Sequence, residues 1–571
     1  MFRKKHNHGN YYSYSNRTSE YSQYRAQRWR ENRHRHQSDS DSVETALPLH
    51  VTLALSALLL MPNLLAIFMA GDLTPFWQRI IYLLASLTFF FLPATVLKAR
   101  TFFFVQSPLL LMGIVEIVHL FVDHATTSLL FVYTCLIAEP GEFTELMSNY
   151  LLLIILLLLV WAAWFVAVCK FAPRGSRIFF GNMRLMAGGI LLVAAVVMLS
   201  ITPLRHVVAR TCPFDFYVAM GRIHNISGAI NRGQAELDDF RFDVRTDDTS
   251  SDALMVLVIG ETARYDHFGL NGYERPTTPL LSDRHHLVSF DSIYGVANLT
   301  TVSVPLMLSR ATPQRPQPLA HERSLTDAMS EAGYHTAWIA NQSRTNRILR
   351  PIAERCNTCN YMAVNDPAAQ HDFGLLPLLA QQLKHDGRQF TLLHSLGCHF
   401  EYNKRYPPEF SIYQPDAGND MMSNRELLVN SYDNSVIYTD RFLDSVISML
   451  EQTQRPAVMV YISDHGENLL DDDRDMFLHG TYSGSLYEYH VPMFVWTSDA
   501  WRATHPDSED LMVNNKHTRQ SSMTLFHTLL QLADVSGGYD AAMSMASDQL
   551  RRADTLFILD ANLNCVTMPR R

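Results

Sequence analysis

Two observations predict the fold class, a five-helix transmembrane bundle followed by a soluble α/β domain whose mostly parallel sheet is sandwiched by helices, and a third bounds the partners. Five apolar runs of about 20 residues crowd into the first two hundred positions. Short apolar runs alternating with helical patterns fill the rest of the 571-residue chain, and several of them end abruptly in polar side chains. The formal net charge of -9 argues against nucleic acid as a partner, because a binder of phosphate backbones needs a basic surface.

Residues 1–47 carry nine Lys or Arg against five Asp or Glu, a net of +4, with little apolar content and no periodicity. That composition predicts a disordered, basic cytoplasmic tail, in preference to metal or RNA binding through the Arg-His run Arg33 to His36. No signal-peptide pattern precedes the first apolar run.

The transmembrane domain is expected over 48–203, with helices at 49–70, 77–97, 102–122, 149–171 and 184–203. Each is long enough, at about 1.5 Å per residue, to cross a hydrocarbon core of about 30 Å. The stretch LLFVYTCLIA, 129–138, is too short to cross and is expected in the membrane interface. Lys98 and Arg100 flank one turn, and Lys170, Arg174, Arg177 and Arg184 another; the 123–148 loop carries Asp123, Glu139, Glu142 and Glu145 with no Lys or Arg. The positive-inside rule then places the N-terminus in the cytoplasm and everything after 203 outside, with only Arg79 leaning the other way. A transporter usually carries polar residues along its pathway, and Glu116 and His119, about one turn apart, are the clear candidates here. Anchoring is the simpler job for such a bundle. Residues 204–250, with FDFYVAMGRI followed by INRGQAELDDF, read as an amphipathic bridge to the soluble domain.

Of the seven cysteines only Cys356 and Cys359 are close in sequence, and outside the cytoplasm a local disulfide is favoured over a zinc knuckle.

The soluble domain, 251–571, is organised around LMVLVIGETARY, 254–265. Six apolar residues meet Gly260, and then Glu261 and Thr262 follow unshielded, as at the carboxyl end of a buried parallel strand. The pattern recurs. HTAWIAN ends in Asn341 with Gln342 next; FTLLHSLGCH ends in Cys398 and His399; AVMVYISDHGE ends in Ser463, Asp464 and His465. Between them SLTDAMSEAG reads as a helix capped by Ser324 and stopped at Gly333. Ligands of open α/β sheets bind at the carboxyl ends of the strands, so these side chains are expected along one edge.

Glu261, Asp464 and His465 together offer oxygen and imidazole donors, a set suited to zinc or manganese, and two carboxylates at one edge would repel without a cation. In ANLTTVSVPLMLSR, 297–310, Pro305 fits the first turn of a helix, and the hydroxyls of Thr300, Thr301 and Ser303 precede it. A hydroxyl there sits where backbone N–H groups and the helix dipole favour negative charge, as a nucleophile or as a plain cap. The acidic run Asp471, Asp472, Asp473, Asp475 reads as a solvated loop.

VLVIGETARYDHFGLNGYERPTTP (256–279), the threonine turn before SVP, HSLGCHFEYNKRYP (394–407), YISDHGEN (461–468) and FLHG (477–480) together resemble the phosphoethanolamine transferases of Gram-negative envelopes. These are five-helix inner-membrane enzymes with a periplasmic alkaline phosphatase/sulfatase-like domain. The resemblance implies zinc held by Glu261, Thr300, Asp464 and His465, with Thr300 as the nucleophile that takes phosphoethanolamine from phosphatidylethanolamine. It implies substrate contacts from Asn341, Gln342, His399 and His479, the two histidines assisting proton transfer or holding a further zinc. Lipopolysaccharide, through lipid A or core sugars, is the implied acceptor, and membrane lipids are the implied surroundings. The chain departs from the family at Val296 and Leu306, where cysteines often bracket the nucleophile. The family's lysine near the Asn341 strand end has only Arg344 or Arg347 as replacements. Rival readings keep the fold and change the substrate, to periplasmic glucans or a glycerophosphate group. A sulfatase-like hydrolase is disfavoured, because the Cys/Ser-x-Pro-x-Arg signature is missing around Ser303. An inactive sensor is disfavoured by the intact Glu261, Thr300, Asp464 and His465.

Overall fold

The computed structural model of the chain describes Arg25 and residues 44–137, 151–235, 237–246, 252–344, 346, 348–362, 371–418, 424–471, 476–482 and 484–568. The tail expected over 1–47 (apart from Arg25 and residues 44–47), Glu139, Glu142, Glu145, Arg347, Asp472, Asp473 and Asp475 lie outside the described residues. The chain divides into two compact units: the described parts of Met1–Leu64, Ile80–Ile114 and Leu152–Val208, and those of Leu65–Arg79, Val115–Leu151 and Ala209–Arg571.

The N-terminal helices are α1 (Leu49–Met69), α2 (Phe76–Phe91), α3 (Ala99–Gln106), α4 (Pro108–Asp123), α5 (Leu129–Ile137), α6 (Leu151–Phe171) and α7 (Asn182–Ser200). Among the described residues four spans are long and apolar enough to cross a membrane: Leu49–Met69, Phe76–Thr95, Ile154–Phe171 and Asn182–Ser200. The stretch expected as a third continuous helix is instead the pair α3 and α4, bent by 40°. Proline has no N–H for the helical ladder, so the break falls where Pro108 follows Ser107. In the first unit Leu55, Leu59, Phe90, Phe102, Phe103, Trp164 and Val168 share a core, and the Trp164 indole N–H donates to the Leu55 carbonyl at 2.9 Å.

In the second unit the Arg79 guanidinium donates to the carbonyls of Ile67, Ala70 and Leu73 at the carboxyl end of α1. A cation is favourable there, which accounts for the one basic residue against the charge pattern. Glu116 and His119 are buried and turn to different partners. Glu116 accepts from the Thr127 hydroxyl, while His119 Nε2 meets the Thr126 carbonyl at 3.2 Å and Asp123 at 3.5 Å. Of the stretch expected in the interface, Leu129–Ile137 forms α5, whose Leu129, Leu130 and Val132 pack with Ala219 of α8 (Phe214–Ala235) while Leu136 stays exposed.

Seven strands form the central sheet: β1 (Leu254–Gly260), β2 (Leu287–Phe290), β3 (His335–Ala340), β4 (Thr358–Tyr361), β5 (Gln389–His394), β6 (Ala457–Ser463) and β7 (Met493–Thr497). Their order is β2-β7-β6-β1-β5-β3-β4. Pairing is parallel except at β7, which runs antiparallel to both β6 and β2, so the sheet is mixed. Side chains alternate faces along a strand. Met255, Leu257 and Ile259 therefore enter one core cluster and Leu254, Val256 and Val258 the other. Both faces of β1 are buried, which is why its sequence is a continuous apolar run.

The elements that matter below are α9 (Thr300–Met307), α10 (Leu325–Glu331), α11 (Arg425–Gln452) and α12 (Leu486–Tyr489). Ser324 caps α10 reciprocally with Asp327, and Gly333 follows its end at φ +87°. The helix expected to begin at Pro305 begins five residues earlier, at Thr300, with Pro305 inside it. Cys356 and Cys359 are not bonded to each other, so the expected disulfide is not formed. Cys359 is held in β4 opposite Trp338, and Cys356 is part of the core, where burial pushes its thiol up to about 12.

Candidate metal centre and active site

The register of the parallel strands builds the site. Ile259 lies opposite both Ile462 and His394, so β6, β1 and β5 end side by side and deliver Asp464, Glu261 and Ser395 to one edge. Two glycines let the chain turn there. A Cβ on Gly260 would lie 2.3 Å from the Tyr461 hydroxyl. Gly397 has φ +52°, and a Cβ on it would lie 2.9 Å from both the N and the O of Glu261, whose carbonyl accepts from the Cys398 N–H at 3.0 Å.

Thr262, a buried β-branched residue, is held at φ +53°. Such a conformation costs about 1–3 kcal/mol and persists where surroundings over-determine it. Here it directs the Thr262 N–H to Asp464 Oδ1 at 3.2 Å, while the Tyr432 hydroxyl donates to its carbonyl at 2.7 Å.

Around this edge Thr300 Oγ1 donates to Glu261 Oε1 at 2.9 Å and lies 3.2 Å from His465 Nε2. His465 Nε2 is in turn 3.4 Å from Glu261 Oε1 and 3.3 Å from Asp464 Oδ2. The His465 Nδ1 faces the Gly466 carbonyl at 3.0 Å, which fixes the ring with Nε2 toward the cluster. Ser303 is turned away, donating to the Asp464 carbonyl at 2.7 Å, and Thr301 Oγ1 is buried with no hydrogen-bond partner among the described residues. Two sets of donor atoms come within 4.8 Å of one another, Glu261/Asp464/His465 and Glu261/His399/His479.

These residues fit a zinc-type ion on their own chemistry. Glu261 and Asp464 are fully buried, and among the described residues their ion pairs are with His465 alone. Among the described residues Asp464 Oδ2 has no hydrogen-bond partner beyond the 3.3 Å approach of His465 Nε2. Burial and the Glu261 charge push Asp464 up to about 7. Burial also opposes the Glu261 charge, but the His465 hydrogen bond and charge outweigh it and hold Glu261 down at about 2. His465 resists the loss that burial imposes because both carboxylates surround it, and it rises to about 10. A divalent cation at the shared point would relieve all three constraints.

Of the other expected residues, Gln342 Nε2 donates to Glu261 Oε2 at 3.2 Å and to the Ser395 carbonyl at 2.8 Å, so it braces the carboxylate. Asn341 donates to the buried Asp372 at 2.9 Å, which also accepts from the Leu396 and Gly397 N–H groups and so holds the loop carrying His399. His399 and His479 stand with ring centroids 6.0 Å apart, and His479 is 4.2 Å from His465. Burial and the neighbouring histidines hold His479 well below the usual imidazole range.

Three contributors carried no separate signal. Glu467 faces His479 Nδ1 at 3.2 Å, and burial pushes its carboxyl up to about 8. Arg264, fully buried, grips Asp266 through two nitrogens and donates to Asp471 at 2.7 Å beneath the Tyr487 ring. Asp471 therefore does not belong to a solvated run; it is the buried partner that ties the loop after His465 to the loop after Glu261. The clue for Glu467 was its place two residues after His465, while the Arg264–Asp471 pair spans 207 positions and has none.

Residues 253–535 match the Sulfatase family model. Over 272 residues the chain is 32% identical to the Kdo(2)-lipid A phosphoethanolamine 7''-transferase of Escherichia coli K12, covering 46% of this chain and 47% of that one. The chain thus spans about half the length of the curated relatives it matches. The zinc complex of the C-terminal periplasmic domain of EptC from Escherichia coli superposes with a TM-score of 0.52 at 25% identity, over 57% of this chain and 95% of that one. The integral membrane lipooligosaccharide phosphoethanolamine transferase A of Neisseria meningitidis shares the fold at a TM-score of 0.67 and 22% identity, over 87% and 99%. Residues 253–535 are therefore a sulfatase-family domain, in a chain similar to the phosphoethanolamine transferases.

Proposed function

We propose that the protein is a zinc-dependent, membrane-anchored transferase that moves phosphoethanolamine from phosphatidylethanolamine to lipopolysaccharide, on lipid A or core, through a phosphothreonine intermediate at Thr300. The observation that carries this is the Thr300 hydroxyl at 2.9 Å from Glu261 Oε1 and 3.2 Å from His465 Nε2, at the head of α9. The relatives' names and the zinc in the neighbouring periplasmic domain support the group transferred and the metal.

Glu261, Asp464, His465 and Thr300 would hold the zinc, which when bound acts as a Lewis acid toward phosphoryl oxygen and lowers the pKa of a hydroxyl beside it. Thr300 Oγ1 passes its proton to Glu261 Oε1, to which it is hydrogen-bonded, and attacks the donor phosphorus as the bond from phosphorus to the diacylglycerol oxygen breaks. The N-terminus of α9 stabilises the phosphate that Thr300 then carries. His479 has Nδ1 against the Glu467 carboxyl, which burial pushes up to about 8; Glu467 passes its proton to Nδ1 as Nε2 gives its own to the departing diacylglycerol oxygen. The acceptor oxygen then displaces Thr300 and the same site runs in reverse, which gives ping-pong kinetics.

The proposed organisation is a cytoplasmic tail over 1–47, a transmembrane domain over 48–203, an amphipathic bridge over 204–250 and a periplasmic catalytic domain over 251–571. Five spans result when the bent pair α3 and α4 counts as one. The proposed location is the inner membrane of a Gram-negative cell with the N-terminus inside. Confinement beside two lipid substrates raises their effective concentration. The test is transfer from phosphatidylethanolamine to lipid A by the detergent-solubilised, zinc-loaded protein; absence of any phosphoethanolamine-modified product from wild type would overturn the proposal.

A further inference from the structure

Glu488, the third residue of the short helix α12, is fully buried, and among the described residues no Lys or Arg pairs with it. Its carboxylate is occupied by neutral donors from three other stretches of chain. Oε1 accepts from the Thr481 hydroxyl at 2.5 Å, the Asn468 amide at 2.8 Å and the Ser485 N–H at 3.0 Å. Oε2 accepts from the Asn298 amide at 2.6 Å and the Thr481 N–H at 3.3 Å.

The stretches are those that carry the chemistry. Asn298 lies two residues before Thr300, Thr481 two residues after His479, and Asn468 next to Glu467, which faces His479. The amides reinforce the convergence, since Asn298 Nδ2 also donates to the Thr481 carbonyl at 3.0 Å and Asn468 Nδ2 to the Leu478 carbonyl at 2.7 Å. A capping role needs only the Ser485 contact. The two amides and Thr481 are additional, and each reaches a different loop.

We infer that Glu488 is a positioning residue: one buried carboxylate that sets the distance between the nucleophile loop at Thr300 and the proton-donor loop at His479. It rests on the transferase reading of the same site. An ionised carboxylate only accepts, with about four lone-pair sites, so it satisfies converging donors that an amide cannot. Glu488→Gln keeps the volume but turns an NH2 toward those donors, so one arm must let go. A misplacement of about 1 Å costs about a hundredfold in rate.

Full-length wild type, Glu488→Gln, Asn298→Ala and Thr481→Val, each zinc-loaded in detergent, are compared for transfer from phosphatidylethanolamine to lipid A and for amide hydrogen exchange. The expected result for Glu488→Gln is a kcat lower by about tenfold to a hundredfold, with KM for phosphatidylethanolamine and zinc content unchanged. Exchange should rise in 298–304 and 477–482 but not in β1. The two single-arm variants should show the same pattern in milder form and keep the test open if Glu488→Gln does not fold. Wild-type kcat and exchange in the variants, or faster exchange spread evenly through the domain, would overturn the inference. A wild type that transfers nothing would overturn the transferase reading alone, since the exchange pattern still decides whether Glu488 holds the two loops.

Discussion

Replacing Gly397 with alanine probes how tightly the sheet edge holds Glu261. Gly397 sits at φ +52°, where a residue with a Cβ is strained by about 1–2 kcal/mol. The new methyl would lie 2.9 Å from the Glu261 N and O, so those atoms must retreat by about 0.5 Å to reach an ordinary contact of 3.4 Å. The backbone of Glu261 cannot move alone, because it is tied to the Cys398 N–H and leads into the strained Thr262. Strain and contact together should destabilise the domain by about 2–4 kcal/mol, a fall in Tm on the order of 5 °C or more. Metal-ligand distances tolerate only about 0.2 Å, so zinc affinity should drop by about tenfold to a hundredfold. The assay is zinc retention against a competing chelator alongside thermal unfolding. Gly272→Ala is the control: it has φ +95° but nothing within 4 Å of the added Cβ, so it should lower Tm and leave zinc binding alone. Equal zinc affinity in Gly397→Ala and wild type would refute the idea that this loop fixes the first ligand.

Two further outcomes can be stated. Arg264→Met takes the buried cation from Asp266, which is half exposed, and from Asp471, which keeps Arg425 at 3.4 Å, and should destabilise the domain by about 2–3 kcal/mol, read as a shifted denaturation midpoint; a shift below about 1 kcal/mol would contradict it. The hydrogen bond to Asp534 raises the His505 pKa against the opposing effect of burial, so the pair's contribution is complete below about pH 6.5, the unfolded value, and is lost as pH rises through the raised folded value. Stability curves of wild type and His505→Gln should therefore converge over that window, and curves that stay parallel would disprove it.

The strand ends were legible because a parallel sheet buried on both faces writes itself as continuous apolar runs, and whatever follows such a run lies at the ligand-binding edge. Glu261, Asp464 and His465 are found together for that reason. Thr300 was within reach only as one of three hydroxyls, and Pro305 misplaced the helix start because proline is favoured at a first helical position, whereas here it is the sixth residue of a helix that begins at Thr300. The bent pair α3 and α4 hid in a run of sufficient hydropathy, since composition measures length but not the break at Pro108. Arg79 contradicted the charge pattern because its partners are the carbonyl of Ile67 in the last turn of α1 and those of Ala70 and Leu73 just beyond it. Glu488 and the Arg264–Asp471 pair were invisible for a common reason: their partners converge from loops far apart in sequence, and nothing local distinguishes them from surface charges.

The central claim is that Thr300 carries the transferred group. Peptide mass spectrometry of protein purified from cells making phosphatidylethanolamine tests it most directly. The account predicts a phosphoethanolamine adduct on Thr300 in wild type, and in Thr300→Ala no adduct and no transfer, with zinc partly retained by Glu261, Asp464 and His465. An adduct on Thr301 or Ser303, or wild-type transfer by Thr300→Ala, would contradict it.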